Sequence, residues 1–69
     1  MSAIVLTPLG KSVAEGSQGS GPEFAVLAML YESNGPVDFE EVMSETHMSE
    51  EKCSMVCRRL MGKEYIKEL

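Results

Sequence analysis

The sequence predicts a small, mainly helical α+β domain, and three observations carry that expectation. From residue 22 onward, apolar residues recur at helical spacing in three successive segments. Residues that start and stop helices bracket those segments. Short β-prone stretches, "AIVL" and "YIKEL", stand near the two ends of the chain.

Size and composition set the outer limits. The 69 residues are enough for one domain, which buries a modest share of its surface and is marginally stable without help, dimerisation included. The hydrophobic content of 43% is that of a folded chain rather than an acidic disordered tail. The two cysteines allow one bridge, too few for a disulfide scaffold. No apolar run is long enough to span a bilayer as a helix, and "MSAIVLTPLG" lacks the basic start of a signal peptide. The expected setting is cytoplasmic, with reduced thiols.

The elements follow in chain order. Residues 3–6 form a short strand. In "TPLGKSVAEG" Thr7 is the N-cap, Pro8 takes the first helical position, and Leu9 and Val13 share a face; Gly10 weakens this short helix. Residues 1–15 thus make an N-terminal strand and helix, and "GSQGSG", residues 16–21, a Gly/Ser linker. Order resumes at Pro22. A core helix places Phe24, Leu27, Ala28 and Tyr31 on one stripe with Leu30 beside it, and Asn34-Gly35-Pro36 stops it, the glycine supplying positive φ.

Val37 precedes the clearest helix start. Asp38 is placed to cap, Glu41 to complete a capping box, and Val37 to staple against Val42, in a helix ending near Thr46. His47-Met48 form the turn and Ser49 caps the next helix. Glu50 and Glu51 follow at its first two positions, where the helix dipole favours carboxylates by about 0.3–1 kcal/mol each. Cys53, Val56, Cys57 and Leu60 repeat at i, i+3, i+4 and i+7 and face the core. The opposite face carries Glu51, Met55, Arg58 and Arg59, with Lys52 and Lys63 at its margins. "EYIKEL" ends the chain as a strand.

Residues 22–69 therefore read as a helix-turn-helix domain. In "SEEKCSMVCRRLMGKEYIKEL", an Arg-Arg-Leu helix end leads into a Tyr-Ile strand, and this resembles the recognition helix and following strand of winged helix-turn-helix proteins. Two departures stand out. Glu64 occupies the place where that family often has glycine, with Gly62 two residues earlier, and no second wing strand follows Leu69. The segment "IVLTPLGKSVAEG" resembles the family's last wing strand running into its helix, but here it comes first. A circularly permuted arrangement is expected, with Ile4–Leu6 antiparallel to Tyr65–Lys67. The alternative is that this segment is a remnant of an upstream module. The expected fold is a three-helix helix-turn-helix core with a small two-stranded β-ribbon formed by the N- and C-terminal segments.

Catalysis and metal binding find little footing. Asp38, Ser44 and His47 surround a short exposed helix with no pocket to serve, so the chain is not expected to be an enzyme. His47, Cys53 and Cys57 are too few for a structural zinc site and lack a Cys-x-x-Cys knuckle. The cysteines read as small core hydrophobes, and no cofactor is expected. Among the methionines, Met29 and Met43 read as core filler, and Met55 as the exposed one.

Charge leaves two functional readings open. The net charge is −5, yet its distribution is uneven: Val13 to Glu51 holds nine acidic and no basic residues, whereas Lys52 to Lys67 holds five basic residues against Glu64 alone. In the first reading, the helix over residues 49–61 enters the major groove of double-stranded DNA. Lys52, Arg58, Arg59 and Lys63 then meet phosphates, while Ser49, Lys52, Ser54 and Met55 lie nearest base edges. In the second, the same face docks a protein partner or a second copy, a homodimer, because Arg and Met are enriched in interfaces. The fold resemblance favours the first reading and the charge opposes it.

Overall fold

The structure is a computed structural model that describes residues 3–16 and 19–69. It has the expected class, a small α+β fold of four helices and one antiparallel sheet. In chain order the elements are β1 (Ala3–Leu6), α1 (Pro8–Gly16), α2 (Pro22–Ser33), β2 (Val37–Asp38), α3 (Phe39–Thr46), α4 (Glu50–Gly62) and β3 (Ile66–Glu68). Gly16 thus belongs to α1 rather than to the expected linker, of which Ser17 and Gln18 lie outside the described residues.

The expected two-stranded ribbon is part of a three-stranded sheet of order β2-β1-β3. The N-terminal strand is its centre: Ala3 and Ile4 pair with Asp38 and Val37 on one side, and Ile4, Val5 and Leu6 with Glu68, Lys67 and Ile66 on the other. The β1–β3 pairing is antiparallel as expected, but one residue out of the expected register. The reason lies at the end of α4. Glu64 takes a left-handed conformation (φ 65°) and Tyr65 is spent on closing the helix, so the strand starts at Ile66. The Tyr65 carbonyl then accepts from the Thr7 N–H at 3.0 Å, just beyond the last strand pair.

The caps explain the helix limits. Thr7 Oγ1 accepts from the Gly10 N–H (3.0 Å) and donates to the Glu64 carbonyl, joining the start of α1 to the end of α4. Asn34, not Gly35, supplies the positive φ that ends α2, its N–H returning to the Leu30 carbonyl. His47 (φ 57°) does the same for α3. Asp38 has the extended backbone of an N-cap, but its side chain makes no capping bond, so the expected capping box is absent: β2 holds this residue in the sheet. Val37 and Val42, the expected staple, are both buried.

The core joins sheet and helices: Ile4, Val37 and Ile66 from the sheet, Val26, Leu27 and Leu30 from α2, Phe39 and Val42 from α3, and Cys53, Val56, Cys57 and Leu60 from α4. The stripe on α4 is the expected one. That on α2 is rotated: Val26, Leu27 and Leu30 are buried, Phe24 and Ala28 half-buried, and Tyr31 exposed, where its hydroxyl bonds Glu15 of α1. Leu9 is likewise exposed, while Val13 is half-buried. Gly10, the buried residue of α1, closely approaches the backbone of Tyr65, just before β3.

Candidate nucleic-acid interface

The candidate site is the outer face of α4, and local sequence fixes its orientation. Ser49 caps the helix, its Oγ accepting from the Lys52 N–H at 3.2 Å, and Glu50 and Glu51 occupy the first turn. With Cys53, Val56, Cys57 and Leu60 buried, the helical repeat turns Glu51, Met55, Arg58 and Gly62 outward as one ridge. Lys52, Arg59 and Lys63, seven and eleven residues apart from the first, line the flank that faces α2. Ser54 is half-buried on the opposite flank.

All seven sequence-expected residues therefore lie on or beside one helix surface, but they divide. Ser49, Lys52, Met55, Arg58, Arg59 and Lys63 are exposed, with Met55 at 42% exposure the most open large apolar side chain of the helix. Arg58 stands on the ridge, apart from the other three cations. What the sequence did not reveal is Glu23. This second residue of α2 accepts from Lys63 Nζ at 2.8 Å through one carboxylate oxygen and approaches Arg59 Nη1 at 3.9 Å through the other. The bond to Glu23 raises the Lys63 pKa above its ordinary value. Among the described residues, Lys52 and Arg58 have no carboxylate partner within ion-pair distance.

No protein-family model, curated protein or solved structure matches the chain.

Beneath this flank runs a shallow groove between α1, α2 and α4, lined by Val13, Phe24, Leu27, Val56 and Tyr65 together with Glu23, Lys52 and Arg59. Its charged groups, Glu23, Lys52 and Arg59, stand at the surface. The inner face of α4 offers different chemistry. Cys53 and Cys57 are free thiols with no solvent exposure, and burial pushes the Cys57 thiol up to about 12 and raises that of Cys53 as well. A thiol held so firmly in its protonated form is a poor nucleophile at neutral pH. Among the described residues, no group of three or more His, Cys, Asp or Glu is arranged to hold a metal ion. Asp38, Ser44 and His47 are each exposed, at the start, middle and end of α3. No helix among the described residues is long and apolar enough to cross a membrane.

Proposed function

We propose that the chain is a DNA-binding module of the winged helix-turn-helix kind, a small cytoplasmic transcriptional regulator with α4 as its recognition helix and no catalytic role. The observation that carries this reading is the outer surface of α4. It follows a tight turn, is anchored by four buried residues, and presents Lys52, Met55, Arg58 and Arg59 to solvent. The cations serve phosphates, and Ser49, Lys52, Ser54 and Met55 lie nearest the base edges. The family reading draws further support from β1. A strand that leads through Leu6-Thr7-Pro8 into a helix lies beside β3, where the returning strand of a wing would pair, as a circularly permuted chain requires.

Titration with mixed-sequence duplex DNA, followed by amide shifts at low and then higher salt, tests the reading. Shifts concentrated on Ser49–Lys63 that fade with salt are expected, with non-specific dissociation constants of order 10⁻⁴–10⁻⁶ M. Replacing Arg58 and Arg59 together by Ala should weaken binding to every sequence and flatten the logarithmic salt slope by about 0.9 per lost phosphate contact. A chain that shows no shifts at low salt does not bind DNA through this face.

One observation favours a second reading, a protein-interaction surface. Two of the four cations already have a carboxylate partner in Glu23, and the leading turn of α4 is acidic. A mixed surface centred on Met55 suits an acidic protein or a second copy of the chain. Sedimentation equilibrium distinguishes self-association from the monomer.

A further inference from the structure

We propose that Glu23 is an internal competitor for the DNA backbone: its carboxylate occupies Arg59 and Lys63, two of the three cations of the α4 flank, and sets how strongly they take phosphate. The proposal rests on the DNA-binding reading above and adds a residue outside the recognition helix that governs it.

The geometry has three parts. A single carboxylate serves two cations one turn apart on α4, one oxygen to Lys63 at 2.8 Å and the other towards Arg59 at 3.9 Å. The anion is the anchored member. Glu23 follows Pro22, which starts α2, and its side chain is 32% exposed, whereas those of Arg59 and Lys63 are 60% and 52% exposed. Both cations stand on long, flexible stems, so they can leave Glu23 for another anion without disturbing the core. A solvent-exposed ion pair of this kind is weak enough to exchange. A phosphate arriving at Arg59 or Lys63 must displace the carboxylate, and until it does the flank carries two net positive charges rather than three. Fewer phosphate contacts then form, so the salt dependence of binding is shallower than the number of cations on α4 alone would give.

The test compares wild type with Glu23→Gln, Glu23→Asp and Glu32→Gln, using a mixed-sequence DNA duplex and fluorescence anisotropy across a salt series. Glu32 is exposed in the last turn of the same helix, so its substitution changes net charge equally without touching the flank. Glu23→Asp keeps the charge but withdraws it by one methylene. Glu23→Gln is expected to bind about fivefold tighter at low salt, with a logarithmic salt slope steeper by about one to two. Glu23→Asp should move the same way by less, and Glu32→Gln by less than about twofold. Circular dichroism establishes that each variant is folded; if Glu23→Gln is not, Glu23→Asp decides. Wild type that binds, with Glu23 variants no different from Glu32→Gln, overturns the proposal and leaves the DNA reading standing. Binding by Glu23→Gln alone supports it. Absence of binding by all four chains overturns both.

Discussion

Gly10 and Glu64 show how much a single backbone position decides in this chain. A Cβ built on Gly10 would lie 1.8 Å from the Tyr65 carbonyl oxygen, which is itself committed to the Thr7 N–H. Neither backbone can yield without breaking the link between α1 and β3. Gly10→Ala should therefore cost about 3 kcal/mol or more by chemical denaturation, despite the better helix propensity of alanine. From sequence alone Gly10 reads as a weak point of α1, because close approach to a segment at the far end of the chain leaves no local signal. Glu64 is the opposite case. Its N–H returns to the Met61 carbonyl and the Tyr65 N–H to that of Leu60, a helix closure that places Glu64 at φ 65°. Glycine adopts that conformation without strain. Glu64→Gly should raise stability by about 0.5–1 kcal/mol in the same denaturation experiment, and an unchanged or lower midpoint would contradict the account. From sequence alone, a glutamate at the end of a helix gives no sign of this conformation.

At the scale of elements, legibility followed periodicity. The buried stripe of α4 could be read because polar residues separate Cys53, Val56, Cys57 and Leu60 from the outer face. In α2 apolar residues occur on nearly every side, so spacing finds Leu27 and Leu30 but does not decide the rest: it favours Phe24 and Tyr31, where the fold buries Val26. The two residues of β2 are too few for any strand pattern, and in sequence they look like a staple and a cap. All the cations of the candidate site were visible in the sequence; Glu23, forty positions from Lys63, was not, because nothing local links them. The junction of α1, α4 and β3 offers a test at this scale. Thr7 Oγ1 both accepts from Gly10 and donates to the Glu64 carbonyl. Thr7→Val keeps the shape and removes both bonds, so a loss of about 1–2 kcal/mol is expected from thermal or denaturant unfolding. A neutral result would mean that water replaces the hydroxyl on both sides.

For the molecule as a whole, the buried thiols govern behaviour at alkaline pH. Below the ordinary thiol value of 9.0, Cys57 is protonated whether the chain is folded or not, and its burial is without electrostatic cost. Above 9.0 the unfolded chain releases the proton while the folded chain holds it until about 12. The unfolded state then binds fewer protons, so stability falls as pH rises through this window. The Lys63–Glu23 pair works in the same direction, since a raised lysine pKa stabilises the fold only while the lysine is charged. Melting temperature measured from pH 8 to pH 11 should decline, and Cys57→Ala should flatten that decline; equal slopes in the two proteins would refute the assignment. The sheet has a different consequence, one of folding order. Because β1 is the middle strand, neither β2 nor β3 has a sheet partner without it. Yet β1 meets β3 only when the two ends of the 69-residue chain come together. Closing a loop of that length costs about 4 kcal/mol of chain entropy, whereas α3 and α4 are neighbours joined by a short turn. Such non-local pairing is slow to form. The helices consequently have to assemble the apolar surface that receives Ile4 and Ile66 before the strands can close on it, which makes the sheet the last part of the molecule to form and the first to open.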